Sequence, residues 1–336
     1  MTTRTRYFVV GSLLTVGVGL GIGVVAYSTG FATSAYTLQG GPQELQFVPP
    51  NAALVAYADV HDLMSSGLRQ RIHQSLPDKL DGQSDFQSQT GINIETDIDH
   101  VIAALVPTPG DAAGQTPRNG IVLARGRFDQ VKIEALMREH GAQAEDYKGT
   151  RLIVGDMPDH KVSVSVAFLE PGLVAVGTSA LVRGAVDQKT GGASIATNDE
   201  MMGLIRDLAT GNAWAAGRFD VLTSQAHLPD GVAQQIPSIS LFSASANIDT
   251  GLRGIIRAQT RDDESANSLR DVVRGFLALA KMQTSSSPEI SSLMQSFQLG
   301  GTGKSVSLSF DVPSTALDAL QNLHKQLGDR SPAPPQ

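Results

Sequence analysis

The strongest restriction on this chain lies at its start. Met1–Arg6 is short and basic, and Tyr7–Tyr27 then runs for 21 residues through Val, Leu, Ile, Gly, Ala and a few hydroxyls. No charged residue occurs between Arg6 and Glu44. Wound as a helix, the stretch spans roughly 31 Å, close to the thickness of a hydrocarbon core. In lipid a helix satisfies its own backbone, so its glycines cost less there than in water. Tyr7 and Tyr27 stand at the two ends, where amphipathic rings favour the interface. Arg4 and Arg6 keep the N-terminus cytoplasmic, which puts everything beyond about residue 30 outside. A cleaved signal peptide is the rival reading, with small residues at 26–28 or 32–34 as cleavage points, but the apolar run exceeds the usual signal core. The expectation is a single-pass protein of the inner (cytoplasmic) membrane, N-terminus in and body extracytoplasmic. Gly17, Gly19, Gly21 and Gly23 form two overlapping small-xxx-small pairs, a contact surface through which two anchors can self-associate.

The body that follows is acidic. Arg4 and Arg6 are the only charges in residues 1–30, so a formal net charge of −7 for the chain leaves −9 for the rest. That sign repels phosphate backbones and argues against nucleic acid. Cysteine is absent, which removes thiol catalysis, disulfides and Cys-ligated metals. Hydrophobic content of 41% with 5% aromatics describes a globular core built from Ala, Val, Leu and Ile.

Period-two alternation marks strands. Val162, Val164, Val166 and Phe168 alternate with Ser163, Ser165 and Ala167, and Val306, Leu308, Phe310 and Val312 alternate with serines and Asp311. The clearest helix covers Asp262–Met282, with Leu269, Val272, Val273, Phe276, Leu277 and Ala280 on one stripe. A final helix is expected from Pro313, burying Leu317, Leu320, Leu323 and Leu327. The small-residue strand ending in Asp59-Val60 is echoed by the one ending in Asp220-Val221, and Gly126–Asp129 by Gly217–Asp220. The expected fold class is therefore α+β: an N-terminal transmembrane helix, then mostly antiparallel sheets with packed helices in two related β-α-β-β-α halves. The division runs 1–6 cytoplasmic, 7–27 membrane helix, 28–47 linker, 48–200 first half, 201–328 second half and 329–336 disordered tail. Asp59, Asp129 and Asp220 read as helix N-caps, each contributing about 1 kcal/mol.

Motifs for chemistry are sparse. Gly300–Ser305 imitates the end of a phosphate-binding loop, but Gln298 stands where a glycine is required and a strand, not a helix, follows. Gly21–Ala26 imitates a dinucleotide fingerprint without a preceding strand. Neither supports a nucleotide or other cofactor. Glu95, Asp97, Asp99 and His100 are the densest set of metal-ligand types, and an extended backbone would align the three carboxylates. The Gly and terminal Glu of a calcium loop are missing, so the set is a weak candidate.

The segment Phe47–Asp59 (FVPPNAALVAYAD) and the segment Thr90–Asp99 (TGINIETDID) resemble elements of an uncharacterised family of membrane-anchored, extracytoplasmic bacterial proteins. That resemblance implies an exported α+β body and supplies no catalytic residues. The leading expectation is a tethered, non-enzymatic binding or scaffold protein with the lipid bilayer and an envelope protein as partners. A carrier of an apolar ligand or lipid, and a hydrolase whose site assembles only in the fold, are the alternatives.

Overall fold

The computed structural model describes residues 42–69, 87, 90–107, 119–139, 141–157, 162–208, 211–219, 238–283 and 294–314. Twelve strands form one continuous antiparallel sheet in the order β11-β12-β10-β9-β8-β1-β2-β3-β7-β6-β5-β4. They are β1 (Leu54–Asp59), β2 (Ile98–Leu105), β3 (Gly120–Gly126), β4 (Gln143–Tyr147), β5 (Thr150–Met157), β6 (Val162–Glu170), β7 (Leu173–Thr178), β8 (Ala213–Arg218), β9 (Ile239–Ile248), β10 (Leu252–Thr260), β11 (Gln298–Gly300) and β12 (Ser305–Val312). The helices are fewer: α1 (Val60–Ser65), α2 (Ile94–Asp97), α3 (Gln130–Glu139), α4 (Ser179–Lys189), α5 (Asp199–Arg206) and α6 (Asp263–Gln283), with 3-10 turns at Gln43–Phe47 and Ile195–Thr197.

This corrects the expected fold class. The body is sheet-rich, and its two sides are not separately packed halves. The two flanks of the sheet meet at the antiparallel pair β1/β8, with Leu54 opposite Gly217 and Ala58 opposite Ala213. From there the chain runs outward through β2 and β3 on one side, and through β9 and β10 on the other. Hydrogen bonding between β1 and β8 joins strands of the two expected halves in one sheet. Gly217 permits the close pairing, because a Cβ there would lie 2.5 Å from the Ala53 carbonyl oxygen. No helix among the described residues is long and apolar enough to cross a membrane. Residues 7–27, including Gly17, Gly19, Gly21 and Gly23, lie outside the described residues, as do the helix expected beyond Ser314 and the tail.

Strand alternation gives the sheet two faces. One, here the core face, carries Val55, Tyr57, Ile102, Ala104, Ile121, Leu123, Leu173 and Ala175 from β1, β2, β3 and β7. It is covered by α4, by α5 and by the 3-10 turn Gln43–Phe47, whose Leu45 and Phe47 are buried. Helix α4 contributes Leu181, Val182, Ala185 and Val186, a spacing that forms one stripe. In α5, Met201, Met202 and Ile205 are buried, and Asn198 caps the helix by accepting from Met201 N at 3.1 Å. The opposite face carries smaller apolar groups, among them Val60, Ile94, Ile98 and Val101 near α1 and α2.

Candidate functional site

Two places concentrate polar chemistry on the core face. The first lies at one end of β1, β2 and β3. Strand register sets Asp59 opposite His100 and His100 opposite Arg125, so three side chains stand in a row across adjacent strands. The 3-10 turn brings Glu44 onto this row. Its Oε1 accepts from Arg125 Nε at 2.8 Å, and its Oε2 lies 3.1 Å from His100 Nε2. A second carboxylate, Glu170 at the end of β6, meets Arg125 Nη2 at 3.3 Å. Below the row the Tyr57 ring stacks on Trp214, with centroids 5.4 Å apart and an interplanar angle of 14°. The same ring is tilted against His100 at 5.7 Å.

The electrostatics follow from burial and partners. Glu44 is 5% exposed, and burial alone would raise its carboxyl. The hydrogen bond and charge of His100, with help from Arg125, outweigh that and hold it at about 2. Asp59 is fully buried, and burial pushes it up to about 7, helped by the charges of Asp62 and Asp99. Its Oδ1 accepts from Asp62 N at 2.8 Å, capping α1, while Oδ2 is buried with no hydrogen-bond partner. The Tyr57 phenol is also raised, first by burial and then by the Asp59 and Glu44 carboxylates. Glu44 ties the 3-10 turn to His100 and Arg125 in this row. The arrangement works as a clasp that fixes the residues preceding β1 onto the sheet.

The metal-ligand candidates diverge. Residues 94–97 form the short helix α2 instead of an extended run, so the three carboxylates do not share a face. Glu95 pairs with Arg69. Asp97 Oδ2 accepts from Asn93 N at 2.8 Å and its Oδ1 faces Arg127 Nη2 at 3.3 Å, which closes the turn that Asn93 caps. Asp99 is exposed on β2, and His100 points to the opposite face with Glu44. Among the described residues no group of three or more His, Asp or Glu is placed to hold a metal ion. Asp129 accepts from Lys132 N at 3.0 Å at the start of α3. Asp220 lies outside the described residues. Gly300–Ser305 is the hairpin between β11 and β12, with Gly301 and Gly303 at positive φ.

The second place is on the other side of the sheet. Beyond β8 the core face continues onto β9, β10 and β12, where it changes character. Ser243, Ser245 and Asn247 stand opposite Arg257, Ile255 and Arg253, which in turn face Ser307, Ser309 and Asp311. An open cleft of about 380 Å³ lies here, lined among others by Ser245, Asn247, Arg253, Gln298, Ser309 and Asp311. Ser245 Oγ donates to the Leu208 carbonyl at 3.3 Å, which ties β9 to the chain leaving α5. Arg253 and Asp311 pair at 3.1 Å across β10 and β12.

Sequence reasoning named Asp59 as a helix cap and His100 as a metal candidate but not the cluster they join, and it passed over the second place. Glu44 falls in the stretch read as linker, although it is the first charge after a long uncharged run. Arg253 and Arg257 share the phase of the serines in β12, a polar stripe that alternation could have exposed.

No family model matches this chain, and no curated protein matches it. Among solved structures it is similar to crystal form I of TP0453, with a TM-score of 0.45 and 8% identity over 85% of this chain and 98% of that one.

Proposed function

We propose that this chain is an extracytoplasmic, non-enzymatic binding protein, held at the inner membrane by its N-terminal segment, that engages an envelope protein through the cleft on β9, β10 and β12. The observation that carries the reading is the contrast between the two polar places. The titratable groups suited to catalysis are sealed in the clasp, whereas the open cleft sets hydroxyl and amide side chains and one exposed ion pair beside Ile255 and Phe310. Neutral donors and acceptors on a stiff sheet suit recognition by hydrogen bonding, as at the polar rim of an interface. The uncharged run from Tyr7 to Tyr27, the basic start and the acidic body support export and tethering.

The test places a photo-crosslinking residue at Ser309, in the cleft, and at Asp271, exposed on α6, in the full-length chain in its own membranes. Adducts to a discrete protein from Ser309 and not from Asp271 are expected. Equal yields from both, or no protein adduct from Ser309 above background, would overturn the proposal. Fractionation with intact mass and protease access from outside checks the placement. A soluble product beginning near residue 29 or 35 would replace the tether with a cleaved signal.

A further inference from the structure

Arginines drawn into this protein are paired. Arg69 meets Glu95, Arg125 meets Glu44 and Glu170, and Arg183 meets Glu145. Arg270 donates to the Gly303 and Ser305 carbonyls. Arg257, on the core face of β10, is different. Its Nη1 is buried and has no hydrogen-bond partner. A guanidinium cannot shed its proton in the way a buried lysine can, so a buried N–H without an acceptor is a standing electrostatic deficit. Register places a serine on each side of it, Ser243 on β9 and Ser307 on β12. The next row along the same face, Ser245, Ile255 and Ser309, borders the open cleft, roughly 7 Å away along the strands.

We propose that Arg257 is the receptor for a phosphate-type oxyanion that reaches it from this cleft, with Ser243 and Ser307 completing the hydrogen bonding. The chemistry fits in each part. The guanidinium presents a planar fork that matches two oxygens of a phosphate group, and hydroxyls rotate to donate to the remaining ones. Arg253 stands farther along the same strand face but is already neutralised by Asp311, which leaves Arg257 as the group in need of a counter-charge. In an acidic chain, a guanidinium that holds a buried Nη1 without an acceptor two residues along the strand from an open cleft selects a single anion instead of attracting polyanions over its surface. The inference goes beyond the partner-binding reading but rests on it in one respect, namely that this flank of the core face receives a ligand.

The phosphate group has two sources, free in solution or on a lipid headgroup. Thermal melts of the full-length chain in detergent distinguish them, using inorganic phosphate in one arm and dihexanoyl phosphatidic acid in the other. In the wild type at least one probe raises Tm by roughly 2–4 °C at saturating concentration. Arg257→Met loses that response, and without ligand it melts no lower than the wild type, because it removes an unmatched charge. Arg257→Lys, which keeps the charge and loses the fork, retains less than half of the response. A response to phosphate identifies a free oxyanion, and a response to the lipid alone identifies a headgroup. Salt-type stabilisation by phosphate raises both proteins equally. A response that persists in Arg257→Met, or its absence from the wild type with both probes, overturns the proposal. Cleft adducts that survive in the crosslinking experiment would then leave the partner-binding reading standing by itself.

Discussion

The two sides of the sheet are built from the same kind of strands and are finished differently. On the side of β1, β2, β3 and β7 the core face is apolar and roofed by α4, α5 and the 3-10 turn at Gln43–Phe47, so one large cluster runs from Leu45 to Ala216. On the side of β9, β10 and β12 the same face is lined by serine, arginine, asparagine and aspartate. The apolar cluster there lies on the reverse face and is small, with Ala246, Leu252, Met294, Phe310 and Val312 buried. The difference shows that alternation makes a strand, while the element that lies on top decides which face becomes core. Stability should be concentrated on the first side, and adaptability on the second.

The largest test of that contrast is Glu44→Ala. It strands His100 and Arg125 beneath the 3-10 turn, and breaking a buried pair in this way should cost about 3–5 kcal/mol in denaturant unfolding. Because the folded carboxyl is held at about 2, below its usual 4.5, its contribution is present above pH 4.5 and is lost as pH falls toward 2. The mutant and the wild type should therefore converge in acid. A cost below about 1 kcal/mol at neutral pH would mean that the clasp is not what fixes the roof to the sheet.

Asp59→Asn should act with the opposite sign and a smaller size. The folded carboxyl is raised to about 7 from a usual 3.8, so its protonated form favours folding. Wild-type stability from this group is then full below pH 3.8 and declines as pH rises to 7. Asparagine keeps an oxygen for the α1 cap and carries no charge. Asp59→Asn should match the wild type in acid and exceed it by about 1–3 kcal/mol above pH 7, as read by melts across that range. Equal pH profiles would show that an ordinary, solvated Asp59 sits on the better packed side.

On the other side, α6 has the amphipathic stripe of a core helix, yet Phe276 on it is 41% exposed and Ala266 is fully buried. Phe276→Ala should cost less than about 1.5 kcal/mol, whereas Ile205→Ala on α5, buried completely, should cost about 2–5. Similar losses at both positions, measured by chemical denaturation, would break the proposed asymmetry.

Much of the backbone was legible and most of the packing was not. The helix expected at Asp262–Met282 is Asp263–Gln283, and the strands at 162–169 and from Ser305 to Val312 stand nearly where alternation put them. The faces were harder to assign. In β6 the valines and Phe168 suggested the buried side, and Val166 is buried, but Ser165 and Ala167 on the other face are buried completely, because small residues let α4 approach until Ser165 Oγ and Ser179 Oγ are 2.6 Å apart. The union of both sides into one sheet depends on β1 pairing with β8, a contact between distant segments that no local pattern encodes. The metal candidates assumed an extended backbone, and the cap supplied by Asn93 turns it into a helix. Glu44 gains its role only from His100 and Arg125, which the strand register brings together far along the chain.

The smallest expected effect belongs to the cleft itself. Arg253 and Asp311 form a cross-strand pair at 3.1 Å, with both side chains mostly in solvent. Water and salt screen such a pair, and holding two long side chains in register offsets part of the attraction. A double-mutant cycle with Arg253→Met and Asp311→Asn should give a coupling of about 0.2–1 kcal/mol at low salt, shrinking further at 0.5 M salt. A surface built for recognition tolerates so weak a link. A coupling above about 2 kcal/mol, insensitive to salt, would place the pair in a desolvated setting like that of Glu44 and Arg125. The cleft would then be a second structural clasp, and the functional contrast between the two sides of the sheet would disappear.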